Sequence, residues 1–329
     1  MGLKLEDKQM NILTPMISDL VSDKHAYRQL LRVMDFKNLV VDLEDCYSEL
    51  GRKGYAVESG FKALLLQYME DLSDRELQRF LQENLAGKLF CGFELHDATP
   101  DFSYFSVLRK RIGTERLSQL FNKIRDGMKK KGMIREVFSF VDASSMVSKM
   151  STWEERDKAI KSGQERFDNM VAEKFATDKD ARFGCKGKNR YWFGYKRHVS
   201  VDMTHGLINR VDATSAEKPD AECIDLVCPD GGMVFGDKGY CGEKVAKVLA
   251  EKKCHSGVIK RNNMKGKDFR HDKWLTGVRM PFEGVFSKMR KKTRYRGLAK
   301  QRWQVLIEAI AYNAKRLIKI EATPLEYAS

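Results

Sequence analysis

The chain has 329 residues, of which 42% are hydrophobic and 32% are charged, enough for one or two folded domains and incompatible with a disordered chain. Its net charge is +14, and the excess lies in the last third, where residues 238–329 hold 23 Lys and Arg against 8 Asp and Glu. A concentrated basic surface favours a polyanionic partner, nucleic acid first, over a generic solvated face.

Several function classes are excluded or unsupported by the sequence. No apolar stretch reaches the roughly 18 residues of a membrane span, and the N-terminus lacks a signal-peptide core, so we expect a cytoplasmic protein without a membrane partner. No glycine pattern for ATP or a dinucleotide is present. The seven cysteines are scattered without a C-x-x-C pair, which is typical of reduced thiols rather than a zinc site.

The first part of the chain, residues 1–132, is predicted to be an all-helical domain. Leucine and aromatic residues recur at helical spacing over residues 64–85. Ser73 followed by Glu76 is a capping-box pattern that starts one helix, and Thr114 marks the start of a later one.

From residue 133 the pattern changes to alternating strands and helices. Residues 137–141 are predicted as a strand that ends at Asp142, and a charged insertion follows over about residues 151–188. The remaining predicted elements are strands over 191–201, 207–213, 233–236 and 256–260, and helices over 219–227, 242–252 and 301–320. This order predicts an α/β domain over residues 133–320 with a mixed sheet, followed by a short tail, 321–329.

Two aspartates follow predicted buried strands. Asp142 comes after Val-Phe-Ser-Phe-Val, and Asp237 comes after Met-Val-Phe-Gly. For each, an aspartate that caps its own turn is the alternative interpretation. If the two strands are neighbours, the carboxylates could converge and hold two divalent cations roughly 4 Å apart.

Glu283 is the third candidate. It is the only acid between Asp272 and Glu308, in a strongly basic stretch. A helix is predicted from Arg279 onward with Pro281 in its first turn, so an acid that stabilises a helix N-terminus is the alternative. A lone carboxylate among cations suits a metal ion and a phosphate together.

The ordered set of motifs resembles the bacterial insertion-sequence 5 family of transposases, within the DDE group, whose catalytic core is RNase H-like. The helical part resembles that family's N-terminal domain in residues 61–69, 72–77, 90–93 and 100–109. Residues 178–184 and 191–199 resemble its central strands. The family's three acids fall on Asp142, Asp237 and Glu283, the second of them in Gly-Asp-Lys-Gly-Tyr-Cys-Gly.

The resemblance implies Mg²⁺-dependent cleavage at the ends of an insertion sequence and transfer of the freed 3′-hydroxyl into target DNA. Asp142, Asp237 and Glu283 would hold two Mg²⁺ ions, for which Mn²⁺ could substitute. The implied partners are the terminal inverted repeats and target DNA, bound by a homodimer or larger assembly. Two alternatives stay open: a transposase-derived DNA-binding repressor without catalysis, and an RNase H-like nuclease without strand transfer.

The resemblance and the charge pattern also predict DNA contacts. The expected phosphate-binding residues are Arg279, Lys288, Arg290, Arg294 and Arg296. Two positions depart from related transposases: Thr276 stands where a Tyr is common, and Arg290 stands where a Lys is common.

Recognition of the DNA ends is assigned to the helical domain by analogy with the family. Arg109, Lys110 and Arg111 are the basic residues expected to be exposed there.

Overall fold

The computed structural model describes residues 16–46, 54–149, 157–158, 161–163, 168–187, 190–264 and 266–322. They form two compact units, one within Met1–Lys123 and Ala314–Ser329, the other within Ile124–Asn313. Much of the predicted charged insertion and residues 323–329 lie outside the described residues. Across the ranges that are described, no helix is long and apolar enough to cross a membrane. The domain limits expected from the sequence stay a prediction.

The described elements of the first unit are helical. They are α1 Ile17–Leu20, α2 Ala26–Val33, α3 Phe36–Val40, a 3-10 helix Val41–Cys46, α4 Val57–Met69, α5 Asp74–Glu83, α6 Leu85–Cys91 and α7 Phe102–Lys130. The capping box at Ser73 and Glu76 is confirmed, since each side chain accepts a hydrogen bond from the other's backbone N–H. Gly113 has φ +68° and interrupts α7 immediately before Thr114, where the sequence predicts a helix start.

Arg109 is not the exposed cation that was expected. Its guanidinium donates to both carboxylate oxygens of Asp74, the Nη1 bond being 2.8 Å, and Nη1 also lies 3.3 Å from Oε1 of Gln67. Only 12% of the Arg109 side chain is exposed. A bidentate pair of this kind holds α7 to α5, so Arg109 stabilises the first unit. Lys110 and Arg111 are exposed as predicted.

The second unit contains a mixed six-stranded sheet. Its strands are β1 Phe138–Val147, β2 Arg182–Lys186, β3 Arg190–Asp202, β4 Leu207–Ser215, β5 Gly232–Gly236 and β6 Cys254–Val258. The order is β2-β3-β1-β5-β6, and β4 also pairs with β3. β1 is antiparallel to β3 and parallel to β5, and β5 is parallel to β6. The predicted α/β class with a mixed sheet is confirmed.

The predicted end of the first strand is wrong. β1 continues to Val147, so Asp142 lies inside a strand rather than after one. The cause is long-range pairing: β3 is antiparallel to β1 from Ser139 to Val147, so even Ser144 and Ser145 lie opposite residues of β3. Tertiary pairing of this kind overrides the weak strand preference of a polar segment.

The helical elements of the second unit surround this sheet. They are α8 Asn169–Phe175, 3-10 helices Asp220–Leu226 and Lys238–Tyr240, α9 Glu243–Glu251, α10 Phe269–Ser287 and α11 Leu298–Ala322.

Helix α10 begins ten residues earlier than predicted, because Asp268 caps it by accepting from the N–H groups of Arg270 and His271. Pro281 therefore lies inside the helix instead of in its first turn. Pro281 and Gly277 are both exposed, so water can satisfy the carbonyl that loses its partner.

Both faces of the sheet are covered, and alternation along β1 decides what each residue contacts. Val141 packs with Tyr240 and residues of α9 on one face. Phe140 packs with Phe235 and Leu275 of α10 on the other face. Since Asp142 is two residues from Phe140, its side chain leaves the strand on the α10 face.

Candidate active site

The three predicted acids line one cavity of about 560 Å³ in the second unit. Asp142 comes from β1, Asp237 follows β5, and Glu283 comes from α10. β1 and β5 are parallel, with Phe140 level with Phe235. If the same register is extended by two residues, Asp142 lies opposite Asp237. Parallel pairing thus explains why two acids 95 positions apart meet at one sheet edge.

Asp142 lies in a poorly solvated, acidic environment. Its pKa is raised from 3.8 to about 6, mainly by burial and also by the charge of Asp237, while the N–H of Ala143 and the charges of Lys186 and Arg279 lower it. A buried acid with a raised pKa is a group whose charge the protein alone does not compensate. Such carboxylates occur more often at functional sites than in the structural core.

The pKa of Tyr240 also shows that several negative charges lie around the cavity. Burial raises its pKa well above the ordinary value of 10, and the charges of Asp220, Asp142 and Asp237 raise it further. Three carboxylates therefore lie near one buried phenol, although only two of them were predicted.

Glu283 forms an ion pair with Arg279 one turn earlier on α10, with 3.1 Å between Oε1 and Nη2. Half of the Glu283 side chain is exposed, whereas only 9% of Arg279 is. Within the described residues, the buried Nε and Nη1 of Arg279 have no hydrogen-bond partner, and the guanidinium lies over the Phe140 ring. Unpaired buried donors are costly, so this arginine fits an anionic ligand in the cavity.

The carboxylate oxygens are the ligand type that a divalent cation prefers, but the side chains are not arranged around a common point. In the described part of the chain, no three His, Cys, Asp or Glu side chains are close enough to hold a metal ion. Asp237 instead accepts from the N–H of Gly239 at 2.8 Å, and Glu283 is turned toward Arg279. All three offer hard oxygen donors to one cavity, and a cation is what would offset the charge of buried Asp142. The residues therefore fit such an ion.

Several residues around the cavity escaped the sequence analysis. Lys196 donates to Asp220 at 2.9 Å and to the carbonyl of Lys218 at 2.8 Å. Lys196 belongs to the basic pair that follows Tyr-Trp-Phe-Gly-Tyr in the sequence. The predicted strand did not show which face of the sheet its side chain would occupy. The cavity is also lined by Lys186, Arg190, Tyr191 and Trp192 from the β2–β3 hairpin. The sequence analysis placed Tyr191 and Trp192 in a central strand and Lys186 in the charged insertion, and it assigned no role to Arg190.

The predicted phosphate-binding residues fall into separate places. Arg279 lines the acidic cavity, whereas Arg294 and Arg296 line a cleft of about 440 Å³ together with Lys149 and Lys292. Lys288 is exposed, with its ammonium 5.9 Å from the centroid of the Tyr312 ring. Arg290 is half-buried, and its carbonyl accepts from Arg197 at 3.2 Å. The five cations therefore do not form one cluster.

Two family models match the chain. The Transposase domain (DUF772) matches residues 15–111, and the Transposase DDE domain matches residues 161–314. The second match contains Asp237 and Glu283, whereas Asp142 precedes it. A solved structure described as "Mos1 transposase paired-end complex with left transposon end" is 10% identical, with 74% of this chain and 82% of that chain covered and a TM-score of 0.19. A similarity this low supports no structural conclusion.

The family matches define the class of protein. Both matches are to transposase domains, and the second is to a DDE domain, which implies a metal-dependent DNA transposase or nuclease.

Asp142→Asn is expected to stabilise the metal-free protein at alkaline pH. Because the folded-state pKa is about 6 against 3.8, the folded protein binds the proton more tightly, and stability falls as pH rises through this interval. A difference of about two pH units corresponds to about 3 kcal/mol. We expect the variant to gain up to this amount at pH 8 in EDTA and almost nothing at pH 4, as measured by urea unfolding.

The matched control is Glu251→Gln, which removes an exposed acid at the end of α9. It should change the unfolding midpoint little at either pH. Equal midpoints for wild type and Asp142→Asn at pH 8 would show that burial of this carboxylate has no energetic cost.

Proposed function

We propose that this protein is an insertion-sequence 5 family transposase that cuts DNA at the ends of its element and joins the freed 3′-hydroxyl to target DNA. The observation that carries the proposal is the cavity that combines Asp142, Asp237 and Glu283 with the buried donors of Arg279. An RNase H-like core is part of the proposal. It is supported by a mixed sheet in which β1 lies between antiparallel β3 and parallel β5.

Asp142, Asp237 and Glu283 are the residues that would hold two Mg²⁺ ions. When bound, such ions lower the pKa of an attacking water or hydroxyl and stabilise the leaving oxygen. Asp142 presents its carboxylate from β1 and Asp237 from the residue directly after the neighbouring β5, and these rigid elements hold both side chains in position. Glu283 supplies a carboxylate from a more exposed position, where it can turn from Arg279 toward the cavity.

Arg279 would bind the phosphate that is cut. Its Nε and Nη1 are buried and unpaired within the described residues, and phosphate oxygens would supply the acceptors that these two donors lack. The face of Phe140 beneath the guanidinium fixes its plane. Donors fixed in advance cost no reorganisation when charge develops on the phosphate.

The cleft lined by Lys149, Lys292, Arg294 and Arg296 would hold the DNA backbone without reading its sequence. Arg294→Ala with Arg296→Ala should weaken duplex binding at low salt. It should also lower the slope of log affinity against log salt by about 2, roughly one unit per lost phosphate contact. Fluorescence anisotropy over a series of salt concentrations measures both.

The control for this charge change is Lys244→Ala with Lys247→Ala, which removes two exposed cations from α9. That variant should keep the wild-type slope. If the two double variants show the same slope, the cleft does not contact phosphate.

The helical unit is proposed to bind the DNA ends. Lys110, Arg111 and Arg116 line a cavity of about 620 Å³ at the Gly113 interruption of α7. A homodimer or larger assembly on DNA is also proposed, since transposition requires two ends to be held together.

The proposal is tested by incubating the protein with a plasmid that carries its flanking DNA, with Mg²⁺, and sequencing the products. Joined products with free element ends are expected. Cleavage without joining would favour the RNase H-like nuclease, and specific binding without cleavage would favour the transposase-derived repressor. Replacement of Mg²⁺ by Mn²⁺ should preserve cleavage, whereas EDTA should abolish it.

A further inference from the structure

The hairpin formed by β2 and β3 presents aromatic side chains at the acidic cavity. Tyr191 and Trp192 both line it, and 66% of Tyr191 is exposed. An exposed tyrosine ring at a cavity offers a flat apolar face on which a planar ligand can stack. Tyr191 lines the same cavity as Asp142 and Asp237, so the DNA that is proposed to bind there is the ligand that would contact its ring.

Trp192 is fixed in its position and gives the hairpin a rigid wall. Its indole N–H donates to the carbonyl of Tyr195 at 3.1 Å. Its ring also packs against the backbone of Gly184, where an added Cβ would lie 2.8 Å from Cζ2. Glycine at this position is therefore required for the indole to lie flat on β2. The side chain of Trp192 is therefore fixed by its contacts, whereas the side chain of Tyr191 is exposed.

The charge around Tyr191 suits a phosphate. Lys186 and Arg190 are exposed and lie directly opposite each other across the two strands, in the pair next to that of Cys185 and Tyr191. Like charges in this arrangement repel each other and destabilise the hairpin. An anion between them removes the repulsion, and both cations line the same cavity as the acids.

We propose that Tyr191 is a stacking site for an unpaired nucleotide next to the phosphate that is cut, with Lys186 and Arg190 binding the backbone of that nucleotide. A base inside a duplex has both faces covered by its neighbours, so only an unpaired or flipped base can stack on Tyr191. Stacking of a base on an aromatic ring is sequence-tolerant. This site rests on the proposed function, since it assumes that the cavity binds DNA.

The test compares single-stranded and double-stranded DNA in EDTA, so that no cleavage occurs. The probes are a fluorescein-labelled thymidine oligonucleotide and a duplex of the same length, followed by anisotropy. Tyr191→Ala should weaken single-strand binding about 10- to 100-fold, the range of one lost base stack, and duplex binding less than about 2-fold. Tyr191→Phe keeps the ring and should retain the wild-type affinity for the single strand.

The matched control is Phe269→Ala, which removes an aromatic ring that is 74% exposed but does not line the cavity. It should leave both affinities unchanged. Equal losses of single-strand and duplex binding in Tyr191→Ala would overturn the proposal, and so would a loss in Tyr191→Phe as large as in Tyr191→Ala. Thermal unfolding of each variant verifies that the hairpin still folds.

Failure of this site and failure of the proposed function give different results. If Tyr191→Ala loses single-strand binding while Asp237→Asn still cuts DNA, the stacking site stands and the catalytic assignment falls. If Asp237→Asn is inactive while Tyr191→Ala binds single strands normally, the catalytic assignment stands and the stacking site falls.

Discussion

Asp237→Asn is expected to reduce Mg²⁺-dependent DNA cleavage by roughly a thousandfold while DNA binding is retained. Loss of a negative ligand removes several kcal/mol of charge stabilisation, and about 4 kcal/mol corresponds to that factor. Asparagine has the size of aspartate, and its Oδ1 can still accept from the N–H of Gly239. The local turn should therefore survive, and the effect should be confined to catalysis.

The measurement is nicking of a terminal-repeat duplex under single-turnover conditions, alongside anisotropy for binding. Glu243→Gln, an exposed acid at the start of α9, is the matched control and should cut at the wild-type rate. Asp142→Asn and Glu283→Gln should behave like Asp237→Asn. Cleavage by Asp237→Asn at the wild-type rate would remove this residue from the active site.

Arg197→Leu is expected to destabilise the second unit by about 3–5 kcal/mol, because it leaves the charge of Glu308 buried without its ion-pair partner. Arg197 on β3 donates to Glu308 on α11, and their side chains are only 1% and 7% exposed. Gln304 also donates to Glu308 at 2.7 Å, so one carboxylate accepts from two side chains. Arg197 further donates to the carbonyl of Arg290, which ties the basic segment to the sheet.

The informative comparison is the double variant Arg197→Leu with Glu308→Leu. Since it removes both charges, it should be more stable than either single variant. Thermal unfolding followed by circular dichroism gives the order of stabilities. A double variant that is no more stable than Arg197→Leu would mean that packing around the arginine, rather than the unpaired charge, controls stability.

The buried carboxylates of Glu308 and Asp142 have different roles. Glu308 has its charge offset by Arg197, and so it serves the fold. Burial raises the pKa of both carboxyls, that of Asp142 to about 6, but within the described residues Asp142 forms no ion pair of this kind. A protein tolerates this cost where the charge serves a ligand, which is why the stability gain of Asp142→Asn and the loss of cleavage in the same variant are expected together.

Local chemistry let the sequence determine a large part of this protein. The Ser73–Glu76 capping box requires only neighbouring residues and was confirmed. Alternating strand and helix patterns predicted the mixed sheet. The acids Asp142, Asp237 and Glu283 were found as isolated carboxylates after apolar strands or among cations, and one cavity contains all three.

Tertiary structure alone decided what those residues contact. Pairing with β3 extended β1 past Asp142, and the cap at Asp268 moved the start of α10, which places Glu283 near the helix end with Arg279 as its partner. The burial of Arg109 and the exposure of Tyr191 follow from which distant surface lies opposite each side chain. Sequence spacing carries local propensity, but burial, strand register and ion pairing depend on residues far apart along the chain.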